Sequence, residues 1–243
     1  VVWHSHSSFY FYLFDYLNSH RWLSLGVQIV SVLIDLYALT FRYVGDVKLI
    51  KGLLSIEVLV QFIEMAFYVW AATYYTKIEN LTPNRYYDWV ITTPSMLFIL
   101  IIYLDFLKNQ NQVLEMNDEN TTLEYLQNAF KNNKNSFLFI LIMNWAMLIF
   151  GYLSETNKLD KYTAVFSGFI PFILYFTYIY FIYAKFTTSG TILWVFFVLI
   201  WSGYGLSALL PYRKKNICYN ILDIVSKNFF GFFLAIIAYL NTK

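Results

Sequence analysis

Four polar residues, Asn220, Asp223, Lys227 and Asn228, interrupt an apolar run from Ile217 to Leu240. As a helix, those 24 residues would measure roughly 36 Å, enough to cross a bilayer core of about 30 Å. Lys227 falls near the middle, where an ammonium is costly and marks function by default. Asp223 precedes it by four residues and Asn220 by seven, so the three share a helical face. The pair can be a self-neutralising structural ion pair or part of a working site. A second set lies in Arg85-Tyr-Tyr-Asp88-Trp89-Val-Ile-Thr92-Thr93-Pro94, where Asp88 and Thr92 share a face and Arg85 sits one turn earlier. One lysine, two aspartates and an arginine in a dry bundle form a charge cluster around a buried cation. A third set, Glu57, Gln61 and Glu64, stands at i, i+4 and i+7 and makes one polar stripe in an apolar helix. Such a stripe must face the protein interior or water. Either neighbouring helices satisfy it, or it lines a wet path that attracts cations.

The composition places these residues in a membrane. The chain of 243 residues is 59% hydrophobic and only 13% charged, where a soluble domain carries about 25% charge. Net charge is +2 without a basic run, so no nucleic-acid partner is implied. A single cysteine, Cys218, excludes an intrachain disulfide and a cysteine metal site. The three histidines, His4, His6 and His20, precede the first long apolar run, and no metal site is expected from them. The start lacks a basic leader and a small-residue cleavage site, so no cleavable signal peptide is expected. Seven apolar segments follow, over 22–41, 53–75, 86–107, 137–154, 163–185, 190–211 and 217–240. Short polar links make consecutive helices antiparallel neighbours in one bundle. The expected fold is all-α, a seven-transmembrane-helix bundle in a single domain over 1–243. Residues 1–21 read as an aromatic lead-in at headgroup depth. The link 109–135 carries Leu123, Leu126 and Phe130 at helical spacing, which predicts a short amphipathic helix on the membrane surface. Lysines and arginines divide evenly between the two sides, so charge alone does not orient the bundle.

Together, Arg85-x-x-Asp88-Trp89-x-x-Thr92-Thr93-Pro94 and Asp223-x-x-x-Lys227 resemble the signature of microbial (type 1) rhodopsins. Trp201-Ser-Gly-Tyr204 is similar to that family's aromatic pocket wall, and Asn144, Met147 and Gly151 are spaced like its residues near the far end of the chromophore. The resemblance implies a covalently bound all-trans retinal, joined to Lys227 as a Schiff base. It makes Asp88 and Asp223 the counterions, with Arg85 balancing their charge and Thr92 bonded to Asp88. Trp89, Thr93, Met96, Met147, Gly151, Trp201 and Tyr204 would contact the chromophore. The implied orientation puts the N-terminus outside and the 109–135 link inside.

Within the family, the glutamates of the second helix together with a helix-seven asparagine resemble channelrhodopsins. The chain is most similar to the rhodopsins of giant viruses that infect algae, where Ser24, Glu57, Glu64, Asn220, Asp223 and Lys227 have counterparts. The implied function is a light-gated cation channel in a cell or host-cell membrane, with Ser24, Glu57, Gln61, Glu64, Asn220 and Asn228 along the ion path. It is a photoreceptor and transporter rather than an enzyme, its partners being the bilayer and the transported cations or protons, with a homo-oligomer left open. The alternative is a weak outward proton pump, and more distantly a sensory rhodopsin. Pumps of the family keep a carboxylate 11 residues after the counterion; here that position is Ile99, and Asp105 lies further along the helix. The stretch 211–218 also lacks the acids that release protons in pumps.

Overall fold

The computed structural model describes residues 23–74, 80–109 and 121–241. The lead-in 1–21, with its histidines, and residues 110–120 of the long link lie outside the described residues. Those described form an all-α bundle of seven spans. The first, α1, is described from Leu23 to Leu39. It is followed by α2 (Val47–Tyr74), α3 (Thr82–Asn109), α4 (Thr122–Glu155), α5 (Lys161–Ile182) and α6 (Thr188–Ala208). The last span is built in three pieces: α7 (Tyr212–Asp223), a π-helical turn (Ile224–Asn228) and α8 (Phe229–Leu240). Six of the spans are long and apolar enough to cross a bilayer. A single lipid-facing helix satisfies its own backbone, which is why apolar runs of this length fold this way.

Successive helices pack as neighbours: α2 on α3, α4 on α5, α5 on α6, and α6 on α7. Contacts of α2 with α8 close the ring. Large apolar side chains such as Leu33, Leu59, Phe166 and Leu199 point outward, as a bilayer-facing surface requires. The densest core is the second half of α3, where Leu97 and Ile99 to Leu104 are buried against the other helices. Pro94 stands inside α3 and removes the N–H that Val90 O would accept. Trp145 Nε1 on α4 donates to that carbonyl instead, at 3.1 Å.

The amphipathic segment of the long link is helical but not a separate surface helix. α4 runs unbroken over 34 residues, from Thr122 into the fourth span, a length of about 51 Å. Nothing between 122 and 150 breaks it, since no proline or glycine occurs there. Its start is fixed by a capping box: Thr121 Oγ1 accepts from Glu124 N at 3.3 Å, and Glu124 Oε2 accepts from Thr121 N at 2.7 Å. Leu126 packs against Gly52 of α2, where an added Cβ would meet Leu126 Cγ at 2.6 Å. Leu123 and Phe130, by contrast, remain exposed.

Candidate functional site

Lys227 lies within the π-helical turn, and its side chain is 2% exposed. The wider turn displaces the helix register at that residue, and such bulges concentrate where a side chain is aimed for function. Lys227 Nζ donates to Asp88 Oδ2 at 2.9 Å. Two further carboxylates approach the same nitrogen, Glu64 Oε1 at 3.5 Å and Asp223 Oδ1 at 3.8 Å. The counterion pair read from the sequence is therefore gathered around Lys227. Glu64, assigned in the sequence to an ion path, joins them. Three carboxyl groups face two cations, Lys227 and Arg85, so the cluster would carry one excess negative charge if all three were ionised.

The two aspartates are held very differently. Asp223 Oδ2 accepts from Arg85 Nη1 at 3.0 Å and from Tyr68 OH at 2.8 Å, while its Oδ1 accepts from Tyr204 OH at 2.7 Å. Among the described residues the Asp88 carboxylate accepts only from Lys227, and its Oδ1 has no partner. Thr92 is buried on the same face, but its hydroxyl donates to the backbone carbonyl of Asp88 at 3.0 Å rather than to the carboxylate. A threonine in a helix interior reaches the carbonyl four residues back more readily than a side chain on its own helix. The expected Thr92–carboxylate bond is thus replaced by a local one.

Arg85 is wired to the seventh span. Its Nη2 donates to Asn220 Oδ1, and its Nε donates to Asn216 Oδ1 at 3.2 Å. Tyr68 OH also donates to Asn220 Oδ1, at 3.2 Å. Asn216 Nδ2 in turn donates to Thr82 Oγ1 at 3.1 Å. Tyr68 and Asn216 were not singled out from the sequence. Tyr68 continues the Glu57–Gln61–Glu64 stripe by one more turn, which was the available signal.

On the other flank of Lys227 a cavity of about 110 Å³ opens between α3, α4, α5, α6 and the seventh span. Trp89, Trp201 and Tyr204 wall it, with Thr93, Met96 and Met147 along its length. Gly151, Ala164 and Gly168 also line it, and at Gly151 an added Cβ would strike the hydroxyl of Tyr86. All the expected chromophore contacts and Lys227 thus line one slot, while Arg85, Asp88, Thr92 and Asp223 do not. Asn144 supports it from behind by donating to Thr93 Oγ1 at 2.8 Å.

Glu57, Gln61, Glu64, Ser24, Asn220 and Asn228 are all buried. They divide about Lys227. Asn220 and Glu64 lie with Arg85 and Tyr68, whereas Gln61 lies with Asp35 and Ser31 of α1, donating to Asp35 Oδ2 at 2.7 Å and to Ser31 Oγ at 3.3 Å. Gln28, Ser31 and Asp35 were missed, although with Ser24 they repeat at i, i+4, i+7 and i+11 on the first helix. A polar column therefore runs between α1, α2 and the seventh span.

The family model described as bacteriorhodopsin-like protein matches residues 17–241. Comparison with curated proteins gave no match. Among solved structures, viral rhodopsin OLPVRII superposes with a TM-score of 0.78 at 23% identity, covering 93% of this chain and 99% of that one. The proton-pumping rhodopsin AR2 of the marine alga Acetabularia acetabulum gives 0.67 at 18% identity, covering 92% and 94%. Xanthorhodopsin, a light-driven ion pump with dual chromophore, gives 0.69 at 16% identity, covering 94% of each chain. At these identities the three structures share the fold with this chain.

Proposed function

We propose that this chain, which belongs to the bacteriorhodopsin-like family, is a light-gated cation channel. As a member it is an integral multi-pass membrane protein that carries retinal covalently on a lysine. We assign that lysine as Lys227, which reaches the cavity together with Ser226. The residues fit the group: the slot is apolar and aromatic along its length and polar at the amine end, as an extended polyene with one reactive terminus needs. Trp89, Trp201 and Tyr204 would clasp it, with Thr93, Met96, Met147 and Gly151 along its length. Retinal supplies light absorption and a change of shape at the attachment nitrogen.

The chain's own groups do the rest. Asp88, bonded only to Lys227, is the acceptor for a proton leaving that nitrogen. Asp223, fixed by Arg85, Tyr68 and Tyr204, stays a negative anchor. Glu64, 3.5 Å from Lys227 Nζ, couples the nitrogen to the polar column. Movement of charge at Lys227 thereby alters the column beside it, which is the physical link between light and conduction.

The observation that carries the channel reading is that buried column, from Asn216 and Arg85 past Glu64 to Asn228, Glu57 and Gln28. A proton pump is favoured by the intact Arg85–Asp88–Lys227 set. Against it stands the second half of α3, where Ile99 and its neighbours are fully buried and apolar. Patch-clamp recording under illumination decides. A channel gives a photocurrent whose reversal potential follows the cation gradient; a current that stays outward at every accessible voltage would establish the pump instead.

A further inference from the structure

We propose that Glu155 of α4 and Lys215 of α7 form a latch that keeps the chromophore slot closed toward a polar recess beside the α4–α5 link. The inference rests on Lys227 carrying retinal in that slot. It makes Glu155 and Lys215 positioning residues, since neither lines the slot itself.

Lys215 Nζ donates to both carboxylate oxygens of Glu155, at 2.7 Å each. The two side chains are only 11% and 7% exposed, so solvent screens this pair far less than a surface one. Neither charge suits its own helix. Glu155 is the last residue of α4, at the end where the helix dipole is negative. Lys215 lies at the start of α7, where the dipole is positive, next to Arg213 and Lys214 and without an acid in the first turn. Contact between the two helices offsets both penalties. The other charged groups of the recess are engaged elsewhere: Lys161 donates to the carbonyls of Leu209 and Leu210, and Asp160 caps α5.

What the latch holds in place is an aromatic partition. Slot and recess both reach Ala208, but Tyr86 and Tyr219 line only the slot, and Glu155 and Lys215 only the recess. Tyr219 comes one helical turn after Lys215. Tyr152, one turn before Glu155, packs on Tyr86 with ring centres 5.7 Å apart. Trp89 then joins the two sides, edge-on to Tyr86 and to Tyr219 at 5.1 Å from each. Each member of the ion pair is thus one turn from the rings that close the slot.

The start of α7 is otherwise tied to α3. Leu81 N donates to Tyr212 Oη at 3.2 Å, and Asn216 joins Thr82 and Arg85. Lys215 adds the tie to α4. With that tie broken, α7 can tip about its contacts with α3, and Tyr219 separates from Trp89. The slot then opens to water without any change at Lys227 or its carboxylates.

Hydroxylamine, a small nucleophile that cleaves retinal from a lysine, reads this opening as loss of colour in the dark. Glu155→Gln and Lys215→Met should each raise the bleaching rate about tenfold or more, because the open population grows exponentially as its free energy falls. The double variant should bleach no faster than the faster single one. The inverted pair, Glu155→Lys with Lys215→Glu, restores the contact with each charge at its favoured helix end, and should return to the wild-type rate. Should the neutral variants fold poorly, Glu155→Asp keeps the charge but withdraws the carboxylate, and should still bleach faster than wild type. Thr121→Ala, at the far end of α4, should leave the rate unchanged. Wild-type rates in the Glu155 and Lys215 variants, an inverted pair as fast as the singles, or an equal rise in Thr121→Ala overturns the latch. Hydrogen exchange over residues 212–219 of the retinal-free protein separates this failure from that of the lysine assignment. Faster exchange in the neutral variants supports the latch even if wild type forms no pigment, and unchanged exchange overturns it.

Discussion

Each charged residue around Lys227 has a distinguishable job because each has different partners. Among the described residues Asp223 is the only carboxylate within 4 Å of Arg85, so Asp223→Asn leaves a buried guanidinium uncompensated. Removing one partner of a buried pair costs on the order of 3–5 kcal/mol, and denaturation of the retinal-free protein should show a loss of that size. Asp88→Asn touches only the lysine. It should cost less stability but shift the absorption band of the pigment more, since a negative charge leaves the immediate vicinity of the chromophore nitrogen. Equal effects of the two substitutions on both measurements would contradict this division of roles. Lys227→Ala should give no coloured pigment when retinal is added to membranes, and a coloured product would overturn the attachment site.

The helices contribute to function through their irregularities. The π-helical turn at Ile224–Asn228 sets the direction in which Lys227 leaves the backbone. Pro94 frees a carbonyl that ties α3 to Trp145 of α4, beside the Thr93–Asn144 bond. Helix ends outside the membrane obey simpler rules. Asp160 caps α5, its carboxylate accepting from Thr163 N at 3.0 Å, and this hydrogen bond holds its carboxyl below the usual carboxylate range. A carboxyl depressed in the folded state adds stability that is present above the unfolded value and is lost as pH falls through the folded one. Asp160→Ala should therefore lower the melting temperature at neutral pH, and the gap from wild type should close on acidification below the carboxylate range. A gap independent of pH would mean the cap acts only through packing. At the other end of the bundle, Thr121→Ala should cost about 1 kcal/mol by opening the capping box of α4.

At the scale of the whole molecule, one slot draws residues from five spans, the last of which carries the lysine in its π turn. A group bound there stabilises only the folded arrangement, so filling the slot should raise thermal stability. The retinal-free protein and Lys227→Ala should both melt below the pigment in calorimetry; identical transitions would mean the slot is not held together by its occupant. The bundle also separates two media. The α3 side of Lys227 is closed by apolar packing, whereas the α1–α2 side carries buried polar residues from Ser24 and Glu64 as far as Asp35 and Glu57, beyond which Leu49, Ile50, Leu53 and Leu54 are packed.

Much of this was legible in the sequence, because an apolar run long enough to span a bilayer has few ways to fold and a charge within it has few ways to be tolerated. Those two facts determined the all-helical membrane fold, and the resemblance carried by Arg85, Asp88, Asp223 and Lys227 implied which charges meet. Helical periodicity also marked Glu57, Gln61 and Glu64 as one face. Periodicity states which residues share a face, but not which face lies opposite. Only the tertiary structure placed Glu64 among the counterions, brought Tyr68 and Asn216 to Arg85, and set Asp35 against Gln61 across two helices. The same limit explains the errors. Thr92 turned to its own backbone, and the amphipathic segment merged into α4, because local hydrogen bonding and uninterrupted helix propensity outweighed the roles that spacing had suggested. Rotation and packing of whole helices decide such contacts, and they are properties of the assembled bundle.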